Sequence, residues 1–174
     1  MGTININIFF LFIASSLVMI FFLFKPLNIK EQNFTDVPLF EMSLFTLLEF
    51  NDKNLITLMT GSDAVRYSDR YKVANIDYTD NSKGYRANMK ANDGLYQNEI
   101  IDLKGDVVYT REDGFTFKSQ TADYNNITKV AHTNSDYISY QGKNRVVGSS
   151  LTYNNVLRKV ESKNIIANYQ LQER

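Results

Sequence analysis

Four tyrosines recur at nearly constant spacing: Tyr67, Tyr96, Tyr124 and Tyr153 stand 29, 28 and 29 residues apart. Each opens a similar phrase: Tyr67-Ser-Asp69, Tyr96-Gln-Asn98, Tyr124-Asn-Asn126 and Tyr153-Asn-Asn155. Each phrase runs into an apolar stretch: Tyr71 and Val73; Ile100, Ile101 and Leu103; Ile127 and Val130; Val156, Leu157 and Val160. Self-similarity at a fixed period marks a repeated supersecondary unit. Asn and Asp suit turns because their side chains bond the local backbone and tolerate positive φ. The unit reads as strand, Asn/Asp turn, strand, and the chain as a stack of hairpins.

Alternation supports that reading. Tyr85 to Asn92 alternates apolar and polar residues throughout, and Ile101, Leu103, Val107 and Tyr109 share one parity against Asp102, Lys104 and Asp106. Ile165, Ala167, Tyr169 and Leu171 alternate likewise near the end. Period-2 patterning puts one face inward and one toward water. Asp113-Gly114 between two such runs predicts a tight hairpin. Residues 43–50 read as the first strand and 51–54 as its turn. The fold class is all-β: an open β-jelly roll, a two-sheet stack of repeated hairpins, with no helix of any length after the N-terminal segment.

Residues 8–24 carry no charge. Counted from Ile4, the run is 21 residues, roughly 31 Å as a helix, enough to cross a bilayer core. No Lys or Arg precedes it and no small-residue cleavage site follows, so a retained single-pass transmembrane helix is expected rather than a cleaved signal. Lys25 and Lys30 follow the run, and by charge alone lean toward a cytoplasmic C-terminal part. The organisation expected is a 1–24 anchor, a 25–40 linker holding both prolines, and one domain over 41–174.

The chemistry of sites is sparse. With 19 basic and 19 acidic residues and no basic block, no nucleic-acid partner is expected. No cysteine is present, which removes thiolate catalysis, thiolate metal sites and disulfides. His132 is the one histidine and cannot build the usual zinc constellation alone. No nucleophile elbow, P-loop or dinucleotide fingerprint occurs, so neither enzyme activity nor a cofactor is expected. Aromatic residues are abundant instead, 12 Phe and 11 Tyr. They fit either a closed core or an open apolar groove.

The order of these features resembles the LptC family of lipopolysaccharide-export proteins. The likeness is carried by Phe45–Phe50, the 51–54 turn, Leu55–Met59 and Asp63-Ala-Val-Arg-Tyr67-Ser-Asp69. It continues through Met89-Lys-Ala-Asn-Asp-Gly-Leu-Tyr96, Leu103-Lys-Gly-Asp-Val107, Gly114-Phe-Thr-Phe117 with Ala122-Asp-Tyr124, Val147-Gly148 with Leu151-Thr-Tyr153, and Ser162–Tyr169. The resemblance implies a periplasmic β-jelly roll held at the inner membrane. It implies that the domain takes lipopolysaccharide from an inner-membrane ABC transporter and passes it to a soluble periplasmic bridge protein. The lysines after the apolar run depart from the family's usual basic N-terminus.

On that reading, the inward-parity residues Phe45, Leu47, Tyr85, Met89, Ile101, Leu103, Val107, Tyr109, Phe115 and Phe117 line the lipid path. The last strand, about Asn164–Leu171, forms the bridge-docking edge through Ile165, Ala167, Tyr169 and Leu171, because an unpaired edge accepts a partner strand. The rival reading is a membrane-anchored β scaffold of the envelope that binds no lipid.

Overall fold

A computed structural model describes residues 6–23, 36–52 and 54–170. The chain divides into two compact units, Met1–Phe34 and Thr35–Arg174.

In the first unit, α1 spans Ile6–Leu23, 18 residues. Among the described residues no helix is long and apolar enough to cross a membrane. The helix expected in this stretch is present over Ile6–Leu23, and the rest of the expected 1–24 anchor lies outside the described residues. Phe24 and most of the expected 25–40 linker lie outside the described residues.

The second unit is nine antiparallel strands: β1 Phe40–Phe50, β2 Leu55–Arg66, β3 Tyr71–Asp80, β4 Ala87–Gln97, β5 Ile100–Arg111, β6 Thr116–Asn125, β7 Val130–Gln141, β8 Asn144–Asn154 and β9 Lys159–Asn168. They lie in sequence order in a single open sheet with β1 and β9 at its edges. The repeated hairpins are as expected; the two-sheet stack is instead one continuous sheet. Only α1 is helical among the described residues.

The tyrosine period now has a cause. The phrases mark the β2–β3, β4–β5, β6–β7 and β8–β9 turns, so one period is two strands and all four turns lie at one end of the sheet. Asn125 and Asn154 shape the last two, their Oδ1 atoms accepting from Ile127 and Thr128 N–H and from Val156 and Leu157 N–H at 2.8–3.0 Å. Ile127, Val156 and Leu157 therefore sit on turns rather than in the apolar strands expected of them. At the opposite end, Asn51 N–H donates to the Asn54 carbonyl across the first turn, and Asp113 accepts from Phe115 N–H ahead of β6.

A single line divides the sheet. Near mid-strand the pairing lapses in all eight ladders, between Thr60 and Asp63, Lys90 and Asp93, Lys104 and Val107, and so on to Ser149 and Leu151. Left-handed backbone recurs along it at Leu44, Asn75, Gly105, Asp106, Ser150 and Asn164. Irregularities of this kind bend a strand and increase its twist. On one side, polar side chains bond across the line: Asn75 to Ser62 at 3.0 Å, Asn92 to Asp106 at 3.3 Å, Gln120 to Asp106 at 3.2 Å, and Asn164 to Ser149 at 2.8 Å. On the other side lies the core, Ile76, Ala91, Leu103 and Val107, with Val73, Tyr78, Met89, Ile101 and Ala122 packed on it. All nine strands belong to one sheet, so among the described residues no second sheet covers this face. Val107 is nonetheless only 2% exposed and Thr133 1%. A lone flat sheet cannot bury side chains that deeply; the sheet supplies its own cover by creasing along the line.

Candidate functional site

The inner face of the crease is an extended surface that holds the apolar core. Registered partners in a ladder share a face, so the face can be followed strand by strand. Beside the crease run Phe45, Ile76, Ala91, Val107, Ser119 and Tyr137, all buried; across it run Ala64, Leu103 and Thr133, also buried. Further out on one wall, Leu47, Met59, Tyr78, Met89, Tyr109 and Phe117 are successive partners. On the other wall Tyr71, Tyr96, Ile101, Tyr124, Ala131, Tyr153 and Val160 form the matching row. Three of the four repeat tyrosines thus build one wall. The fourth, Tyr67, lies in the β2–β3 turn, where the Arg70 guanidinium sits 4.2 Å from its ring centre.

Burial falls away from the crease. The flanking rows are buried or half-buried, the walls mostly half-buried, and Leu47, Tyr71 and Val160 exposed. The cross-section is a slot with a packed floor and open sides. Its floor changes character along the sheet. From β1 to β5 it is Phe45, Ile76, Ala91, Leu103 and Val107. From β6 it carries hydroxyls: Ser119 to Thr133 at 3.2 Å, Tyr137 to Ser162 at 2.9 Å, and Ser162 to the Ser150 carbonyl at 2.8 Å. Phe117 stacks on Tyr137 with centroids 5.6 Å apart.

The slot is electrically quiet. Burial pushes the Tyr109 phenol up to about 12, helped by the neighbouring Tyr85, and burial likewise raises Tyr78. Charge appears at the rims. The Arg66 guanidinium lies 5.4 Å from the Tyr71 ring centre on one wall, and Arg111 lies over Tyr85 and Phe115 on the other, at 5.6 and 5.1 Å. On the outer face, burial disfavours the Asp77 carboxylate, but Lys90 at 2.7 Å and Asn88 hold it below its usual range. Two open depressions, of about 480 and 770 Å³, have mixed linings that include Arg86, Asn88, Lys118 and Asp136. Neither follows the apolar walls.

Of the ten residues expected on the groove, Phe45, Leu47, Met89, Ile101, Leu103, Val107, Tyr109 and Phe117 fall on this face within strands. Tyr85 and Phe115 fall just outside them, ahead of β4 and β6, at one rim with Arg111. The strand expected from Tyr85 starts at Ala87 because Asn81–Arg86 is spent on the β3–β4 turn. Sequence reading missed Ile76, Tyr137 and all of the second wall but Ile101. Their strands change parity or interrupt alternation at the crease, as where Val73 and Ile76, three apart, both face the core. On the last strand, Ile165 and Tyr169 are exposed and Ala167 pairs with Val146. β9 begins at Lys159, not near Asn164, because Val160–Ser162 pairs with β8 below the crease. Leu171 lies outside the described residues.

Among the described residues no group of acids or histidine is arranged to hold a metal. His132 Nδ1 bonds Asp123 at 3.0 Å across β6 and β7.

A family's sequence model, described as lipopolysaccharide-assembly, LptC-related, matches residues 8–169. The chain belongs to the LptC family. No curated protein matches it significantly. Membership carries a role in lipopolysaccharide transport and a place among cell-envelope components. The jelly-roll-like sheet of this LptC-family chain gives that role a physical form: a creased face with largely aromatic walls and two unpaired edge strands.

Proposed function

We propose that this protein shields the acyl chains of lipopolysaccharide during export, taking the lipid from an inner-membrane ABC transporter and passing it to a soluble periplasmic bridge protein. The observation that carries the reading is the slot: a creased face with an apolar floor from β1 to β5, a hydroxyl-bearing floor from β6 on, and largely aromatic walls on both sides. An acyl chain of about 12 carbons costs on the order of 10 kcal/mol to expose to water, at ~0.8 kcal/mol per CH₂. A half-open apolar slot removes that cost while leaving sugars outside. The aromatic walls offer wide, adaptable contact, and burial raises the Tyr78 and Tyr109 phenols, which keeps these two neutral.

The open edges give the route its direction. An edge strand presents unpaired N–H and C=O groups that a partner strand can satisfy. β1 is proposed to meet the transporter and β9 the bridge protein, with Ile165, Ala167 and Tyr169 continuing the apolar face into the next molecule. The uncharged 8–24 run is proposed to hold the chain at the inner membrane, with the β domain in the periplasm. No catalytic step is required of this chain; the energy is proposed to come from the transporter's ATP.

Photo-crosslinking residues placed at Met89, Tyr109 and Phe117, and on the outer face at Asp102 and Lys104, test the reading in cells exporting lipopolysaccharide. Lipid adducts are expected at the first three and not at the last two. Protein adducts without lipid at Met89, Tyr109 and Phe117 would instead favour an envelope scaffold.

A further inference from the structure

Three large apolar side chains stand in water at one corner of the domain. Ile127 is 74% exposed, Val156 69% and Leu157 70%. They occupy the tips of the β6–β7 and β8–β9 turns, outside the slot. These tips are joined: Asn155 N–H donates to the Lys129 carbonyl at 3.0 Å, and Asn126 N–H donates to the Glu99 carbonyl at 2.8 Å. The Asn125 and Asn154 side chains fix each tip from within. The result is a preformed ledge.

Each tip ends in a base. Ile127 is followed by Lys129, and Leu157 by Arg158, both bases in left-handed backbone. Among the described residues, ion pairs at this end join Arg70 to Asp36 and Asp69, His132 to Asp123, and Lys159 to Glu161. They leave Lys129 and Arg158 free. The turns at the opposite end differ: their large side chains, Tyr85 and Phe115, lie against Arg111, and Tyr85 is only 37% exposed.

We infer that this ledge seats on an anionic bilayer surface, with Ile127, Val156 and Leu157 entering the headgroup region and Lys129 and Arg158 meeting lipid phosphates. A protruding apolar point with a cation behind it suits a soft interface, which fills in around it. A cationic side chain near an anionic leaflet adds attraction that salt removes. The inference is independent of lipopolysaccharide handling, and its test contains none.

The chain has no cysteine, so Ile127→Cys, Leu157→Cys and Lys143→Cys can each carry a single environment-sensitive fluorophore on the full-length protein. Each is reconstituted in phosphatidylglycerol vesicles and in phosphatidylcholine vesicles. Labels at 127 and 157 are expected to shift to the blue and lose intensity to brominated lipid in the anionic vesicles. The shift should shrink in the zwitterionic ones and in high salt, while the label at 143 stays water-like. Adding Lys129→Glu and Arg158→Glu to the 127-labelled chain should abolish the shift while its circular dichroism stays unchanged. Water-like emission at both tips in both vesicles overturns the proposal. So does a photo-crosslinker at Val156 that captures protein and no lipid in cells.

Discussion

The Tyr137 ring fills the space that a side chain at Gly148 would need: a Cβ there would stand 2.9 Å from both Cε1 and the phenol oxygen. The ring is not free to yield, since Phe117 stacks on one side and Ser162 holds its hydroxyl. The Lys163 carbonyl, 3.0 Å from the same point, closes the other escape. Gly148→Ala is expected to lower stability by about 1–3 kcal/mol, measured by urea unfolding. An unchanged midpoint would mean that the slot floor near β8 is loose.

Gly105 and Gly114 both have positive φ, +75° and +83°, but only Gly105 is crowded, with Asn92 2.6 Å from its would-be Cβ. Alanine at either site meets a left-handed backbone cost of roughly 1–2 kcal/mol. Gly105→Ala should cost about 1–3 kcal/mol more than Gly114→Ala, because it also presses on the seam of the crease. Equal losses in thermal unfolding would remove Asn92 as a packing constraint there.

Thr133 is 1% exposed, and its hydroxyl meets Ser119, Thr121 and the Ser135 N–H at 3.1–3.3 Å. Thr133→Val keeps the shape and strands the Ser135 donor. A loss of about 1–3 kcal/mol is expected. A neutral or stabilising outcome would show that water satisfies the group.

Tyr109 should ionise late. Its phenol is raised from 10.0 to about 12, chiefly by burial. The unfolded chain gives up this proton first, so the stabilisation is complete below about pH 10 and is lost as pH rises toward 12. An absorbance titration of tyrosinate should show a late phase that vanishes in Tyr109→Phe. A titration with no late phase in the parent chain would place Tyr109 in contact with water.

The strands were legible where alternation survives. Ile101 to Tyr109 keeps one parity across the crease because Gly105 and Asp106 both adopt left-handed backbone, so inward steps stay even. Elsewhere the crease is invisible to pattern reading. Leu44, Asn75, Ser150 and Asn164 take positive φ, yet none announces it as glycine would. The inward set then slips by one residue, as from Val73 to Ile76. The turn tips misled for another reason: Ile127, Val156 and Leu157 look like strand residues by type, and it is Asn125 and Asn154 that hold them on turns. Two of the candidate groove residues, Tyr85 and Phe115, moved to a rim because the β3–β4 turn is long and β6 starts late. The second wall needed the register of successive hairpins, which the pattern of a single strand does not contain.

The crease also makes each edge a lock. It reaches the outermost strands, at Leu44 in β1 and Asn164 in β9. A straight strand laid along either edge would match the ladder on one side of the bend and miss it on the other. A guest strand has to carry its own kink at the same height, or it will hold by half its length. Selectivity among β-rich envelope proteins can therefore be written in the position of one irregular residue rather than in any side chain. Moving that kink by two residues in a partner should reject it while leaving every apolar contact chemically intact.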